Sequence, residues 1–196
     1  MVLIWQGNTT FKIILLDGKV IFIDPKKPVQ ADVILFTSEK NQIKDTGNSF
    51  IILGPGEYEV KGIFINARFL DKEHKSICYQ ISAENINLLF FSPIKTLPKD
   101  ESSDLFLNTD ILIFPIGLNE IKPSDISNFK KELEPKIFIP YYLEEDKQNS
   151  LKKVLAILNV ENIKPIPHLK IQAKNLATKE QTILLSGGQS PKDILP

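Results

Sequence analysis

The sequence predicts an α+β domain with a two-sheet core and a few outer helices, and three observations carry that reading. The chain opens with short apolar-alternating segments separated by hairpin signals. After Thr109 it turns to strand–helix units, and it closes on short strands again. That order fits two packed sheets better than a doubly wound parallel sheet. Its 196 residues suffice for one sizeable core and are too few for two. We read residues 1–186 as one domain. The segment 187–196, with Gly187, Gly188 and two prolines, reads as a flexible C-terminal tail.

Each element has a local reason. Val2–Trp5 is a short apolar strand. Phe11–Leu16 and Lys19–Asp24 are joined by Asp17-Gly18, a two-residue hairpin signal. Pro25 ends the second arm, because proline cannot continue a ladder. Asp32–Phe36 is apolar on both faces and reads as a central strand. Gly47-Asn48 marks a turn, and Phe50–Leu53 is a further strand. Gly54-Pro55-Gly56-Glu57 suits a type II turn. Glu57–Phe69 reads as one long strand whose apolar positions settle into period 2 after Gly62, which suggests a bulge there. Asp71–Lys75 is a charged loop tip. Ser76–Ser82 and Ile86–Phe91 form a second hairpin.

Glu101–Asn108 reads as one or two helical turns capped by Ser102 or Ser103. Asp110–Pro115 is a buried strand. Ser124 caps a helix to about Leu133, with Ile126, Phe129 and Leu133 on one face. Lys136–Pro140 is a strand, and Tyr141-Tyr142 leaves its end. Asp146 or Asn149 caps a second helix carrying Leu151, Val154, Leu155 and Leu158. Ile163–Ile166, Leu169–Ala173 and Thr182–Leu185 complete the strands.

Composition narrows the function classes. Lys+Arg and Asp+Glu are both 24, so the formal net charge is zero. Neither nucleic acid nor an anionic membrane surface is an expected partner. The partner is unknown, and a homo-oligomer stays open. The single cysteine, Cys78, excludes an intramolecular disulfide and reads as a small strand residue. No secretory signal is visible, and no apolar run approaches the ~18 residues that span a bilayer. The expected location is the cytoplasm.

The stretch with most bearing on function is Thr37–Asp45, which follows the apolar run Val33–Phe36. Loops leaving buried strands in layered domains commonly hold ligands. This one has no His and no Cys, and its only carboxylates are Glu39 and Asp45.

Several segments, in order, resemble the metallo-β-lactamase fold, and most of all its branch of small zinc-dependent hydrolases related to lactonases of the UlaG type. They are Ile4–Phe11, Phe22-Ile23-Asp24-Pro25, Ala31–Thr37, Thr109–Gly117 and Glu134–Pro140. The most specific is Gly54-Pro55-Gly56-Glu57-Tyr58-Glu59-Val60-Lys61-Gly62-Ile63. The resemblance covers nearly the whole chain and implies an αββα sandwich.

The resemblance also implies where metal ligands should lie. The family binds zinc through a Thr-His-x-His-x-Asp-His run after the strand matched by Asp32–Phe36, and the metal turns a water into hydroxide near neutral pH. Here that run is Thr37-Ser38-Glu39-Lys40-Asn41-Gln42-Ile43. Ser38, Lys40 and Ile43 stand at the histidine positions, and Gln42 stands at the aspartate. A later His-x-Gly-Asp segment matches Phe90-Phe91-Ser92-Pro93, and the last histidine matches Tyr142. Lys40 places a cation where the family places zinc. Ile43, Phe90 and Pro93 offer no donor. The two histidines, His74 and His168, match no ligand position. The resemblance therefore implies a vestigial pocket around Asp24, Thr37, Ser38, Lys40, Gln42, Glu57 and Tyr142, with no metal, no cofactor and no confident catalytic residue.

Other chemistries fit less well. Ser38 and Lys40 could make a Ser–Lys pair, with Lys40 as base. Asp24 could accept backbone hydrogen bonds in its loop. Glu57 and Glu59 could hold a divalent cation, but residues two apart in a strand share a face, here the solvent face. Gly54–Gly56 is no phosphate loop, because it lacks the P-loop pattern and no helix follows. Phe90, Phe91, Tyr141 and Tyr142 are candidates to fill the vacated pocket. The expected function is non-catalytic binding or regulation. The alternative is a hydrolase of a lactone, ester or phosphodiester using a rebuilt site around Ser38, Lys40 and Tyr142, or a metal held by Asp24 and Glu57.

Overall fold

In the computed structural model, two mixed β-sheets pack face to face. The structure describes residues 1–71, 76–98, 106–116, 121–143, 155–156, 160, 163–176 and 179–187. The first sheet has six strands in the order β12-β1-β2-β3-β4-β5: β12 Leu169–Lys170, β1 Val2–Trp5, β2 Phe11–Ile14, β3 Val20–Ile23, β4 Val33–Leu35 and β5 Phe50–Ile52. The second has seven in the order β13-β11-β10-β9-β8-β7-β6. These are β13 Gln181–Thr182, β11 Ile137–Tyr142, β10 Ile111–Ile116, β9 Ile86–Phe91, β8 Ser76–Ala83, β7 Ile63–Asp71 and β6 Gly56–Val60.

Alternation along the strands decides which residues meet between the sheets. Leu3, Phe11, Ile13, Ile21, Ile23, Val33 and Leu35 from the first sheet face Ile65, Tyr79, Ile81, Phe90, Ile113 and Tyr141 from the second. β4 lies between β3 and β5, parallel to both, and is buried at every residue. The doubly apolar segment Asp32–Phe36 is therefore an interior strand, as its pattern implies.

The outer face of the second sheet is covered over β9–β11 by the helix α1, Pro123–Leu133. Ile126 and Phe129, three apart on one face, pack with Phe91, Phe106, Phe114 and Phe138. On the first sheet, Phe22, Ile34 and Phe36 form a smaller outer cluster, against which Ile43 and Ile51 pack.

Several local expectations are corrected. Glu57–Phe69 is not one strand with a bulge but a hairpin of β6 and β7, in which Val60 pairs with Ile63. Lys61 and Gly62 form its turn with φ +53 and +79, the pair of positive values a type I′ turn requires. Leu15 and Lys19 close the first hairpin through three residues, and only Gly18 among them has positive φ. That is the geometry of a type I turn followed by a left-handed glycine. Gly56, at φ +152, already begins β6, so Gly54–Glu57 is a bend and not a type II turn.

The helix starts two residues earlier than a Ser124 cap implies. Pro123 takes its first position, where a missing N–H costs nothing, and the preceding Lys122 makes no side-chain cap. Strands β10 and β11 run through Pro115 and Pro140 to Ile116 and Tyr142. The closing strands shrink to β12, β13 and an Ile166–Leu185 bridge. The loop tip with His74, the caps Ser102 and Ser103, most of the Asp146–Leu158 helix and most of the tail lie outside the described residues.

Candidate functional site

The site is built where β3 and β4 end side by side. Asp24 follows β3 with φ +44, a left-handed conformation that Asp tolerates better than most residues. Its backbone is held on both sides. Its N–H donates to the Leu35 carbonyl at 2.9 Å, and its carbonyl accepts from the Thr10 hydroxyl at 2.7 Å. Its carboxylate is held by the residue that follows β4 and Phe36. The Thr37 N–H donates to Asp24 Oδ1 at 2.8 Å, and the Thr37 hydroxyl donates to Oδ2. Asn41 Nδ2 then donates to Thr37 Oγ1 at 3.0 Å.

Both Asp24 and Thr37 are buried. Burial pushes the Asp24 carboxyl above its ordinary value, while hydrogen bonds from Thr37, Thr9 and Asn41 pull it the other way. Desolvation disfavours the charged form, and donors aimed at the carboxylate favour it.

Two buried phenols hold the loops beside this network. Tyr79 on β8 donates to the Phe36 carbonyl at 2.6 Å, and Tyr141 on β11 donates to the Phe91 carbonyl at 2.7 Å. Thr37 follows one of these carbonyls and Ser92 follows the other. The second sheet thus fixes both walls of a cleft. Burial raises both phenol pKa values, so each remains a hydrogen-bond donor.

That cleft has a volume of about 340 Å³ and is lined by Thr9, Thr37, Ser38, Asn41, Ser76 and Ser92, with Pro93 and Leu143 at its side. A second cleft of about 310 Å³ shares Thr37 and Ser38 and continues over Glu39, Leu53, Gly54, Phe69 and Ile77.

Of the residues expected at the pocket, the structure brings Asp24, Thr37 and Ser38 together. Lys40 and Gln42 are exposed on the same loop and line neither cleft. Ser38 Oγ accepts from the Lys40 backbone N–H at 3.1 Å, capping a short 3-10 turn, Glu39–Asn41. No hydrogen bond joins the Ser38 and Lys40 side chains. Glu57 lies elsewhere, exposed on β6 beside a separate recess with Tyr58 and Phe64. It cannot share a cation with the buried Asp24. Tyr142 packs edge-on against Trp5 at 4.9 Å. Phe90 is fully buried and stacked on Tyr141 at 5.7 Å, whereas Phe91 points to the opposite face of its sheet, against Phe114 and Phe129. Ile43 packs against the outer cluster of the first sheet.

Sequence reading missed Thr9, Asn41, Ser76, Ser92, Leu143 and Phe69. The first four were legible only as polar residues at or near strand ends. Among the described residues, no three His, Cys, Asp or Glu side chains converge into a group that could hold a metal. Cys78 is buried on the far face of β8, with its thiol pKa pushed up to about 12 by desolvation.

A two-sheet sandwich with this strand order, and a loop–strand junction built as at Asp24 and Thr37, defines a class of protein. A sequence profile of the beta-lactamase superfamily domain matches residues 2–142, and the chain belongs to that family. Solved structures agree on the fold. A metallo-beta-lactamase superfamily protein from Thermotoga maritima, described as a candidate Zn-dependent hydrolase, superposes with a TM-score of 0.78 at 21% identity. That match covers 94% of this chain and 98% of that one. The metallo-beta-lactamase fold protein YhfI from Bacillus subtilis gives 0.64 at 7% identity, over 95% and 96% of the two chains. Human tRNase Z, short form, gives 0.53 at 8%, over 74% and 94%. No curated protein sequence matches the chain.

Proposed function

We propose that this protein is a metal-free member of the metallo-β-lactamase fold, from the UlaG-like branch, acting in the cytoplasm by binding or regulation and not by hydrolysis. One observation carries the reading. The side chains at the positions matched to zinc ligands are committed to other work. Phe90 lies in the core, Ile43 in the outer cluster and Tyr142 against Trp5. Lys40 and Gln42 face solvent, and Ser38 caps a turn. The buried Asp24 spends both oxygens on Thr37. This donor set does not suit zinc, which takes three or four converging N, S or O ligands. The Asp24–Thr37–Asn41 network instead satisfies the polar groups of the strand ends without a cation.

The open cleft at Thr37 and Ser38 favours one second reading, a hydrolase with a rebuilt nucleophile. Ser38 is the nucleophile the sequence offers for it, and its hydrogen bond with Lys40 runs to the backbone N–H and not to the side-chain amine. Hydrolysis assays on lactone, ester and phosphodiester panels, with and without added zinc, separate the two. The expected result is no turnover above background in either condition. Zinc-independent turnover lost in Ser38→Ala establishes the second reading in place of the first.

A further inference from the structure

The twin cleft has a consistent chemistry. In the larger lobe, internal bonds leave a mixed set of free groups. Ser38 Oγ accepts from Lys40 N, and Ser92 Oγ accepts from Ile77 N, so both hydroxyls keep a proton to donate. Ser76 donates to the Pro93 carbonyl and keeps lone pairs, and Asn41 keeps its side-chain carbonyl. Donors and acceptors side by side in one lining suit a ligand whose own groups both donate and accept, as hydroxyls do.

The smaller lobe is the more apolar of the two beyond Thr37, Ser38 and Glu39. Leu53 and Ile77 form its wall, and Phe69 is 38% exposed, an aromatic left open to solvent at the cleft. Among the described residues, no Lys, Arg or His lines either lobe. The charge in the described lining is a carboxylate, Glu39, with Asp24 behind Thr37 and Lys40 exposed on the same loop outside both lobes. A phosphate or carboxylate entering here would lose water and meet no counter-charge among the described lining residues. Each lobe falls near the lower end of the roughly 300–1,000 Å³ range of small-molecule sites.

We propose that the twin cleft binds an uncharged glycoside, with its hydroxylated ring among Ser38, Asn41, Ser76 and Ser92 and a flat aglycone against Phe69. This rests on the non-catalytic reading of the same site. Nucleosides and aryl glycosides are the two forms of this chemistry. The test uses saturation-transfer NMR and titration of the full chain with uridine, adenosine, p-nitrophenyl β-glucoside and uridine 5′-monophosphate. The expected result is saturable binding of at least one neutral compound with Kd about 1 mM or tighter. The monophosphate binds at least about tenfold more weakly, and Phe69→Ala and Asn41→Leu each weaken the neutral ligand about fivefold or more.

No saturable binding of any neutral compound overturns the proposal. So does equal or tighter binding of the monophosphate, or unchanged binding in both variants once their urea midpoints match wild type. Release of p-nitrophenol would leave the glycoside site standing and overturn the non-catalytic reading instead, so the two failures are distinguishable.

Discussion

Thr37 gives both its backbone N–H and its hydroxyl to the carboxylate of Asp24, thirteen residues earlier in the chain, with the amide bond at 2.8 Å. This pair locks the ends of β3 and β4 together and forms the floor of the cleft. Removing the acceptor leaves a buried N–H unpaired, which costs more than the bond itself contributes. Asp24→Ala is expected to lower stability by about 3 kcal/mol and Thr37→Val by about 1–2 kcal/mol. Urea unfolding measures both, and a neutral Asp24→Ala would show that the network is ornamental.

The same carboxyl gives a pH signature. Its folded pKa lies above the ordinary 3.8 because burial disfavours the charged form. Between 3.8 and that raised value the folded state binds more protons than the unfolded chain. The proton-linked part of Asp24's contribution is therefore fully present below the unfolded pKa and is lost as pH rises through the folded one. The stability difference between wild type and Asp24→Asn should shrink as pH climbs through this window. Urea midpoints of the two proteins from about pH 3.5 to 7 read it directly, and a difference that grows with pH contradicts the assignment.

Much of this frame was legible beforehand. The doubly apolar Val33–Phe36 could only be an interior strand, and alternation put Glu57 and Glu59 on the solvent face, where both are exposed. The β6–β7 turn was not legible as a turn. A bulge and a two-residue hairpin loop both shift a period-2 pattern by one, so Val60 and Ile63 share a face either way. Nothing in a lysine announces the left-handed φ of Lys61. Asp17-Gly18 has the same ambiguity between a two-residue and a three-residue loop. At the site, Asp24 and Thr37 were each picked out, but their bond joins two strand ends across the sheet, and sequence spacing cannot show that. Phe69 and Ser92 were hidden for the same reason: the fold alone brings them beside Thr37.

The turn reading has its own test. Gly62 has φ +79 and open space around a would-be Cβ. Gly62→Ala then costs only backbone strain, about 1–2 kcal/mol. Urea unfolding of that variant checks it. A bulge that relaxes freely would instead leave stability within about 0.5 kcal/mol.

Helix α1 is held by aromatic packing and not by its uncapped start. Phe129 meets the rings of Phe91, Phe106 and Phe114 at 5.6–6.0 Å. Phe129→Ala is expected to cost about 3–5 kcal/mol. Phe64, 55% exposed on the uncovered part of the same sheet face, should change stability by less than about 0.5 kcal/mol when cut to alanine. Denaturant curves of the pair settle which aromatic holds the outer layer.

The central claim is that this superfamily member works without zinc. The most direct measurement is metal content by mass spectrometry of untagged protein, expressed in zinc-supplemented medium and purified without chelators. The account predicts far less than one zinc per chain and no rise in melting temperature on adding zinc. One or two zinc ions retained per chain, with a matching gain in stability, would contradict it.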